Sequence, residues 1–508
     1  MGEKIERKNA TIFEGSVWND YFLKKEVLPK KDEEFVSLVY KTALHEYSTE
    51  ELQSLFLKNK KQEKFIEETK EFYKKITPFI NSFLDEENEA KVIALTSNYL
   101  KKIAPNLKNR KVIIKEIVKR LFGFGVLTPL LEDDELEEIM VNGAKKPIFV
   151  FDRTLGLCRT DVQFESEKDI RALIKRIGSF VGKEVDEKMP LLDARLPDGS
   201  RVNATLSLIS PKGSTITIRK FRRRPITITE MISNGTLTSE LAAFLWMCVD
   251  GMMVSPMNLI IAGGTGSGKT TTLNALSVFI PTRERIVTIE DTLELNLYDR
   301  ENWIQLEARM GIKEEDEISL DDLLKNAIRM RPDRVIVGEV RGKEALSMFT
   351  AMDIGHQGVM STLHANSAKE TLLRLQSEPM SVPVSMFSLL DLIIMQHRIY
   401  WPRVGLIRRI MQVSEVRVMG DHVLLNDVFS FNREKDKAYR TNLPSEIFEK
   451  LSFLTGFNKK DLKDELTLRS SVLQAMVDKK IFDSIKIKKI VENYWQDPAK
   501  VARKFSLI

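Results

Sequence analysis

Residues 263–270 read GGTGSGKT, directly after the apolar run MNLIIA at 257–262 and before a helical pattern at 271–279. The glycines allow the backbone to wrap closely around a phosphate chain. The start of the following helix supplies N–H groups and the positive end of the helix dipole. This order of strand, glycine-rich loop and helix predicts a P-loop that binds a nucleotide.

Two side chains of this loop have specific expected roles. We expect Lys269 to contact the β- and γ-phosphates of ATP and Thr270 to ligate Mg²⁺, so the predicted cofactors are ATP and Mg²⁺. The predicted nucleotide-binding residues are those of the loop and the first helical turn: Gly263, Gly264, Thr265, Gly266, Ser267, Gly268, Lys269, Thr270 and Thr271.

Two later strand patterns end in acidic residues. IVTIED ends at Glu290 and Asp291, and RVIVGE ends at Glu339. Ligands of open α/β sheets bind beyond the carboxyl ends of the strands, and hydrolysis needs one carboxylate for water and another for the metal's water shell. We expect Glu339 to hold Mg²⁺ through water, although it follows Gly338, where many P-loop enzymes carry an aspartate. The alternative role for each acid is a cap of the next helix.

Two of the five histidines, His356 and His364, flank a fourth apolar run in GHQGVMSTLHAN. No third ligand lies nearby at metal-ligand spacing, which argues against zinc. We expect His364 to sense the γ-phosphate or to couple it to a neighbouring element, with backbone packing as the alternative.

Composition limits the remaining classes. The chain has 508 residues, a hydrophobic fraction of 43% and a net charge of +5, which is typical of a globular protein of two to four domains and gives no global argument for nucleic-acid binding. The lone Cys158 and Cys248 exclude a four-cysteine zinc site. The charged N-terminus is not a secretory signal, and the longest uncharged stretch contains Pro256, so we expect only peripheral membrane association.

Pattern changes along the chain predict an α/β protein in six segments. We expect a flexible arm at 1–30, a helical region at 31–120, an α+β domain at 121–224 and a hinge at 225–238. Alternating strands and helices at 239–430 predict a mostly parallel sheet, followed by a helical subdomain at 431–508.

Four motifs together resemble the secretion ATPase superfamily, which powers type II secretion, type IV pili, archaella and conjugative transport. Here they read GGTGSGKT, TIEDTLEL, RPDRVIVGEVRG and GHQGVMSTLHAN, in the family order. The resemblance implies a RecA-like motor domain after a PAS-like domain. It also implies that Glu290 is the catalytic carboxylate of an acidic box, that Glu339 is the Walker B glutamate and that His364 is the histidine-box residue.

The segments LFGFGVLTPLLEDDELEEIMVNG at 121–143 and PLLDARLPDGSRVNA at 190–204 are similar to the domain that precedes the motor in this family. The second segment and the helical tail look most like the archaeal branch. The resemblance implies a cytoplasmic homohexamer at the inner face of the membrane, working with a polytopic platform protein and an anionic lipid surface. By position, Arg195 and Arg219 are the expected phosphate-sensing arginines.

Two functions remain open from the sequence. The first is a motor for an archaeal type IV pilus-like filament or archaellum. The second is a DNA-translocating or conjugative ATPase, since residues 101–120 carry eight Lys or Arg against one acid. That basic stretch lacks interleaved aromatics for base stacking, which argues against nucleic acid as a partner. A small-molecule kinase is disfavoured, because no acceptor-site signature is present.

Overall fold

A computed structural model describes residues 4–7, 10–13, 19–23, 35–36, 39, 59–80, 86–196, 198–221, 224–297, 300–309, 317–401 and 405–507. The chain divides into two compact units, Met1–Arg223 and Arg224–Ile508, here called unit 1 and unit 2. Among the described residues, no helix combines the length and apolar character needed to cross a membrane.

Unit 1 contains one sheet and a group of helices. Its described strands follow the order β1-β2-β3-β6-β5-β4-β9-β8-β7. The strands are β1 (Lys4–Glu6), β2 (Ala10–Phe13), β3 (Asn19–Leu23), β4 (Leu136–Val141), β5 (Phe149–Asp152), β6 (Gly156–Thr160), β7 (Leu191–Arg195), β8 (Arg201–Thr205) and β9 (Thr215–Arg219). The helices are α1 (Asn59–Ile80), α2 (Glu86–Ile103), α3 (Arg110–Phe122), α4 (Thr128–Leu131) and α5 (Glu167–Phe180).

Unit 2 contains the sheet that carries the glycine-rich loop. Its described strands follow the order β12-β11-β13-β14-β10-β15-β16-β17-β18, parallel from β12 to β15 and antiparallel from β15 onward. The strands are β10 (Leu259–Ala262), β11 (Ile286–Glu290), β12 (Trp303–Glu307), β13 (Arg334–Val340), β14 (Met360–Leu363), β15 (Leu392–Trp401), β16 (Gly405–Met419), β17 (His422–Asn432) and β18 (Lys437–Arg440).

Helices cover both faces of this sheet. They are α6 (Ile228–Ser233), α7 (Ser239–Asp250), α8 (Lys269–Leu276), α9 (Leu320–Ala327), α10 (Glu344–Asp353), α11 (Ala368–Gln376), α12 (Glu446–Thr455), α13 (Lys459–Asp478), α14 (Ser484–Gln496) and α15 (Pro498–Lys504). In β10, Leu259 and Ile261 pack into one hydrophobic core, whereas Ile260 and Ala262 pack into the other. Because both faces are covered, the central strands are continuous apolar runs. The predicted α/β fold with a parallel-rich sheet is confirmed.

Several boundaries differ from those expected. Where the sequence predicted a flexible arm, β1, β2 and β3 extend the unit 1 sheet, and β3 pairs in parallel with β6 through contacts such as Tyr21 with Thr160. The helical region expected at 31–120 is interrupted within the basic stretch at 101–120, because α2 ends at Ile103 and Pro105 precedes α3. The first departure arises from the pairing of β3 with β6, and the second from the break at Pro105. Apolar periodicity reports neither of these features.

The predicted hinge and C-terminal subdomain also differ. Residues 228–233 form α6, and a capping box of Thr227 and Glu230 stabilises its N-terminus. This helix belongs to unit 2, which starts at Arg224, so the unit boundary precedes the expected hinge. The C-terminal helices share the core of α7, with Tyr494 packed against Trp246 at a ring-centroid distance of 4.9 Å. They are thus part of the hydrophobic core of unit 2. The PAS-like character expected for residues 121–224 stays a prediction.

A buried ion pair anchors the C-terminal helices to α7. The guanidinium of Arg469 on α13 donates to Asp250 at 2.7 Å and to Glu465 at 2.7 Å, and lies 4.8 Å from the ring centroid of Trp246. Asp250 also accepts a hydrogen bond from the Trp495 indole at 2.9 Å. Removing the arginine would leave the carboxylate of Asp250 buried without its cation.

We predict that Arg469→Met lowers the free energy of unfolding by about 3–5 kcal/mol, the usual cost of breaking a buried ion pair. Urea unfolding followed by tryptophan fluorescence measures this change. The control is Arg417→Gln, which removes an exposed pair with Glu446 and should cost about 0.2–1 kcal/mol. Equal losses for the two variants would contradict the anchoring role of Arg469.

Candidate nucleotide site

The glycine-rich loop joins β10 to α8 at the carboxyl edge of the sheet. Gly268 has φ of +93°, a left-handed conformation that lets the chain turn into the helix. Position 263 requires a glycine for a different, steric reason. A Cβ there would lie 2.1 Å from the backbone oxygen of Gln396. The sequence GGTGSGKT thus forms a P-loop in its expected context.

Lys269 lies inside the curve of the P-loop. Its Nζ donates to the backbone oxygens of Gly263 at 3.1 Å and Gly264 at 3.3 Å and lies 3.4 Å from Nε2 of His364. The residue is 7% exposed. Phosphate oxygens are acceptors of the same kind as these carbonyls, so the ammonium is positioned for a phosphate chain.

Glu339 is aimed by a β-bulge. Val337 pairs with Ser361 and Val340 with Leu363, so Gly338 and Glu339 together face one residue of β14. A bulge changes the direction of a side chain relative to a regular strand. The Gly338–Glu339 sequence, unusual among P-loop enzymes, thus coincides with the bulge that sets the direction of the Glu339 side chain.

A chain of polar contacts runs from Glu339 to the P-loop. Its Oε2 accepts a hydrogen bond from Arg341 at 2.7 Å, and its Oε1 lies 2.9 Å from Nε2 of His364. Burial and the Lys269 cation lower the pKa of His364 below its ordinary value, although Glu339 opposes this shift. His364 is therefore neutral near pH 7, between a carboxylate and an ammonium group.

Glu290 lies next to the bulge. It is 2% exposed and accepts hydrogen bonds from the backbone N–H groups of Glu294 at 2.8 Å and Leu295 at 2.9 Å. A Cβ on Gly338 would lie 2.9 Å from Cγ of Glu290, so this glycine allows the close approach. The geometry shows that Glu290 shapes the turn after β11, and its catalytic role stays a prediction.

Thr270 and Glu339 were the residues predicted for the metal. Thr270 lies half-buried in the first turn of α8. Within the described ranges, no group of three or more His, Cys, Asp or Glu side chains could hold a metal ion on its own. A hydroxyl and a single carboxylate nevertheless fit Mg²⁺, which keeps several waters and is completed by phosphate oxygens.

The structure separates the two histidines. His364 follows β14 at the P-loop edge, whereas His356 precedes β14 at the opposite edge of the sheet. The motif GHQGVMSTLHAN therefore spans the strand and contributes only its second histidine to the candidate site.

Two arginines at the P-loop were missed from the sequence. Arg398 on β15 pairs directly with Arg408 on β16, and the Arg408 side chain donates to the backbone oxygen of Gly266 at 3.0 Å. A Cβ on Gly266 would lie 2.9 Å from Nη1 of Arg398. No sequence signal marks these residues, because only the strand register brings them to a loop more than 130 positions earlier in the chain.

Unit 1 aligns the arginines that were expected to sense phosphate. Arg195 on β7 pairs with Arg201 on β8, which pairs with Arg219 on β9. Directly paired residues of antiparallel strands point to the same face, so the three cations form one row. Of the arginine cluster at 222–224, the first two residues lie outside the described ranges, and Arg224 donates to the backbone oxygen of Phe482 within unit 2 at 3.0 Å.

The fold and the P-loop define a P-loop α/β protein, and comparison with known proteins identifies the family. The model of the family described as type II/IV secretion system protein matches residues 121–404. The chain belongs to this family, as the four motifs predicted. The predicted enzyme class, a P-loop ATPase, is confirmed for the matched segment.

Individual relatives are similar over part of the chain. An uncharacterized protein of Methanocaldococcus jannaschii is 49% identical over 240 residues, which are 47% of this chain and 33% of that relative. The match thus spans about a third of the relative's length. The conjugal transfer protein TrbB of Rhizobium radiobacter is 32% identical over 249 residues, 48% of this chain and 73% of that protein.

Among solved structures, the VirB11 ATPase from the Brucella suis type IV secretion system, in complex with sulphate, is 25% identical. The superposition covers 56% of this chain and 94% of that chain with a TM-score of 0.28. At that TM-score the superposition has no bearing on the geometry of the site.

We predict that Glu339→Gln retains ATP but lowers its hydrolysis at least about hundredfold, because the amide cannot supply the carboxylate charge that faces Arg341 and His364. Filter trapping of labelled ATP and a phosphate-release assay measure binding and turnover separately. Glu446→Gln, a change at an exposed pair with Arg417, is the matched control and should leave both unchanged. Undiminished turnover in Glu339→Gln would refute the assignment.

We also predict a specific pH dependence. The lowered pKa of His364 keeps the imidazole neutral, so kcat/KM should be flat above pH 6.5, the ordinary value for histidine, and should fall only below it. His364→Gln should remove that acidic limb, because the amide does not titrate. A limb that persists in His364→Gln would assign the titration to another group.

Proposed function

We propose that the chain is an ATPase motor that hydrolyses ATP to power assembly or rotation of an archaeal type IV pilus-like filament or archaellum. The observation that carries the proposal is the convergence of Lys269, Glu339 and His364 at one sheet edge in a member of the secretion family. The similarity to an archaeal relative supports the archaeal assignment.

In this proposal each side chain has a distinct task. Lys269 neutralises the terminal phosphates, and Thr270 and Glu339 hold Mg²⁺, which supplies charge neutralisation at the phosphates. Glu290 or Glu339 orients the attacking water, and neutral His364 relays the state of the γ-phosphate to β14. Arg398 and Arg408 add positive charge beside the P-loop backbone.

The arginine row of unit 1 would supply the remaining charge. A row of cations on one face of a sheet matches the negative charge of a phosphate chain. We infer that Arg195 and Arg219 sense the phosphates within a homohexamer, in which ATP binding and release drive rigid-body closure and opening. The membrane partner would be a polytopic platform protein, aided by an anionic lipid surface at the cytoplasmic face.

A DNA-translocating or conjugative secretion ATPase is the second candidate. The similarity to a conjugal transfer protein of Rhizobium radiobacter favours it. Against it, the break at Pro105 divides the basic stretch, and Lys102 is engaged by Glu68 at 3.0 Å. A continuous cationic track along one helix is therefore absent from the described residues at 101–120.

ATPase rates of the purified full chain distinguish the two candidates. We expect vesicles containing phosphatidylglycerol to stimulate turnover several-fold over phosphatidylcholine vesicles, and double-stranded DNA to change it less than about twofold. DNA stimulation that falls steeply between about 50 and 200 mM salt would favour the second candidate. Lys269→Ala controls for contaminating ATPase, and full activity in this variant would refute ATP hydrolysis at the P-loop.

A further inference from the structure

A polar cleft of about 440 Å³ lies at the edge of unit 2 opposite the P-loop. Arg334 begins β13, and His356 and Gln357 lie just before β14, so the cleft borders the points where these strands start. We call it the strand-start cleft. Its volume is in the range of ligand sites, which is about 300–1,000 Å³.

The back wall of the strand-start cleft contains a buried donor that lacks an acceptor. Arg334 is 1% exposed, and its Nε and Nη2 are engaged by the carboxylate of Glu284. Its Nη1 has no hydrogen-bond partner among the described residues. Buried donors without acceptors are rare and are commonly completed by an ordered water. Because this nitrogen is buried, Arg334 contributes a fixed cation to the wall of the cleft and no direct contact with a ligand.

The absence of a side chain at Gly358 makes room for the guanidinium of Arg334. A Cβ on Gly358 would lie 1.8 Å from Nη1 of Arg334 and 2.9 Å from Cβ of Pro256, which also lines the strand-start cleft. Gly358 has φ of +67°, so its backbone also disfavours a side chain. Any larger residue here would displace the guanidinium.

Two of the other polar side chains that line the strand-start cleft have no partner in the part of the chain that the structure describes. Arg283 and His356 line it, and no ion-pair or hydrogen-bond partner of either side chain occurs within the described ranges. The two lining acids are already engaged: Glu284 by Arg334, and Asp333 by the backbone N–H of Arg285 at 2.7 Å. An acceptor group would satisfy the donors of Arg283 and His356.

We propose that the strand-start cleft binds an oxyanion, either a carboxylate of a partner protein segment or a free phosphate. Arg283 supplies the exposed cation, Gln357 and His356 supply side donors, and Arg334 fixes the back wall. Charge-assisted hydrogen bonds of this kind are roughly twice as strong as neutral ones. This site is independent of the P-loop and of the proposed motor function.

Two exposed apolar residues favour the protein segment as the source. Val254, two positions before Pro256, is 53% exposed, and Ile354, beside Gly355 of the lining, is 59% exposed. Apolar groups next to a cationic cleft complement a segment in which an acidic residue is flanked by apolar ones. A free phosphate would use the cleft alone.

Calorimetric titration of the full chain tests the proposal. The probes are inorganic phosphate, the capped peptide acetyl-Leu-Glu-Leu-amide and its neutral counterpart acetyl-Leu-Gln-Leu-amide. We expect saturable binding of the glutamate peptide, binding at least about tenfold weaker for the glutamine peptide, and a loss of at least about tenfold in Arg283→Gln. His356→Gln, a second exposed change, should also weaken binding.

Two control variants make each outcome decisive. Arg417→Gln removes an arginine elsewhere on the surface and should bind like the unaltered chain, whereas Lys269→Ala reports binding at the P-loop. Saturable phosphate binding that is lost in Arg283→Gln would support the proposal with free phosphate as the source. Binding lost only in Lys269→Ala, equal binding in Arg283→Gln, or no saturable binding of either anionic probe would overturn it.

Discussion

The candidate site depends on the parallel register of three neighbouring strands. β10 pairs with β14 so that Ala262 faces Leu363, and β13 pairs with β14 so that Val340 faces the same residue. Gly263 follows Ala262, His364 follows Leu363, and Glu339 precedes Val340. These three residues therefore lie together at the carboxyl ends of the strands. Close packing of these strands into the hydrophobic cores on both faces of the sheet holds them in this register.

The sequence was informative where the chemistry is local and uninformative where it depends on long-range pairing. The P-loop and the strand-end acids lie in continuous motifs, and apolar runs reveal buried parallel strands. By contrast, Arg398 and Arg408 reach the P-loop only through an antiparallel register. The strands at 4–23 depend in the same way on pairing with β6, since such short segments carry too few residues to show a period.

The same distinction explains the histidine motif. In the sequence, His356 and His364 are eight positions apart, on either side of an apolar run. The four-residue strand β14 lies between them. His356 therefore lies near the end of the sheet where β14 starts, and His364 lies at the end where β14 stops. Spacing predicts proximity within a helix or loop, but along an extended strand it predicts separation.

The strands that begin beside the strand-start cleft also end at the nucleotide site. β13 runs from Arg334 to the bulge at Glu339 over five residue steps, which span about 17 Å at roughly 3.3 Å per residue. This distance exceeds the Debye length of about 8 Å at physiological salt, so salt weakens the direct effect on Glu339 of a charge placed in the exposed cleft. A shift of the strand itself is a second route by which a ligand there would act on hydrolysis. The bulge is the point where β13 departs from regular pairing with β14. The bulge therefore determines how far a shift of β13 would move Glu339.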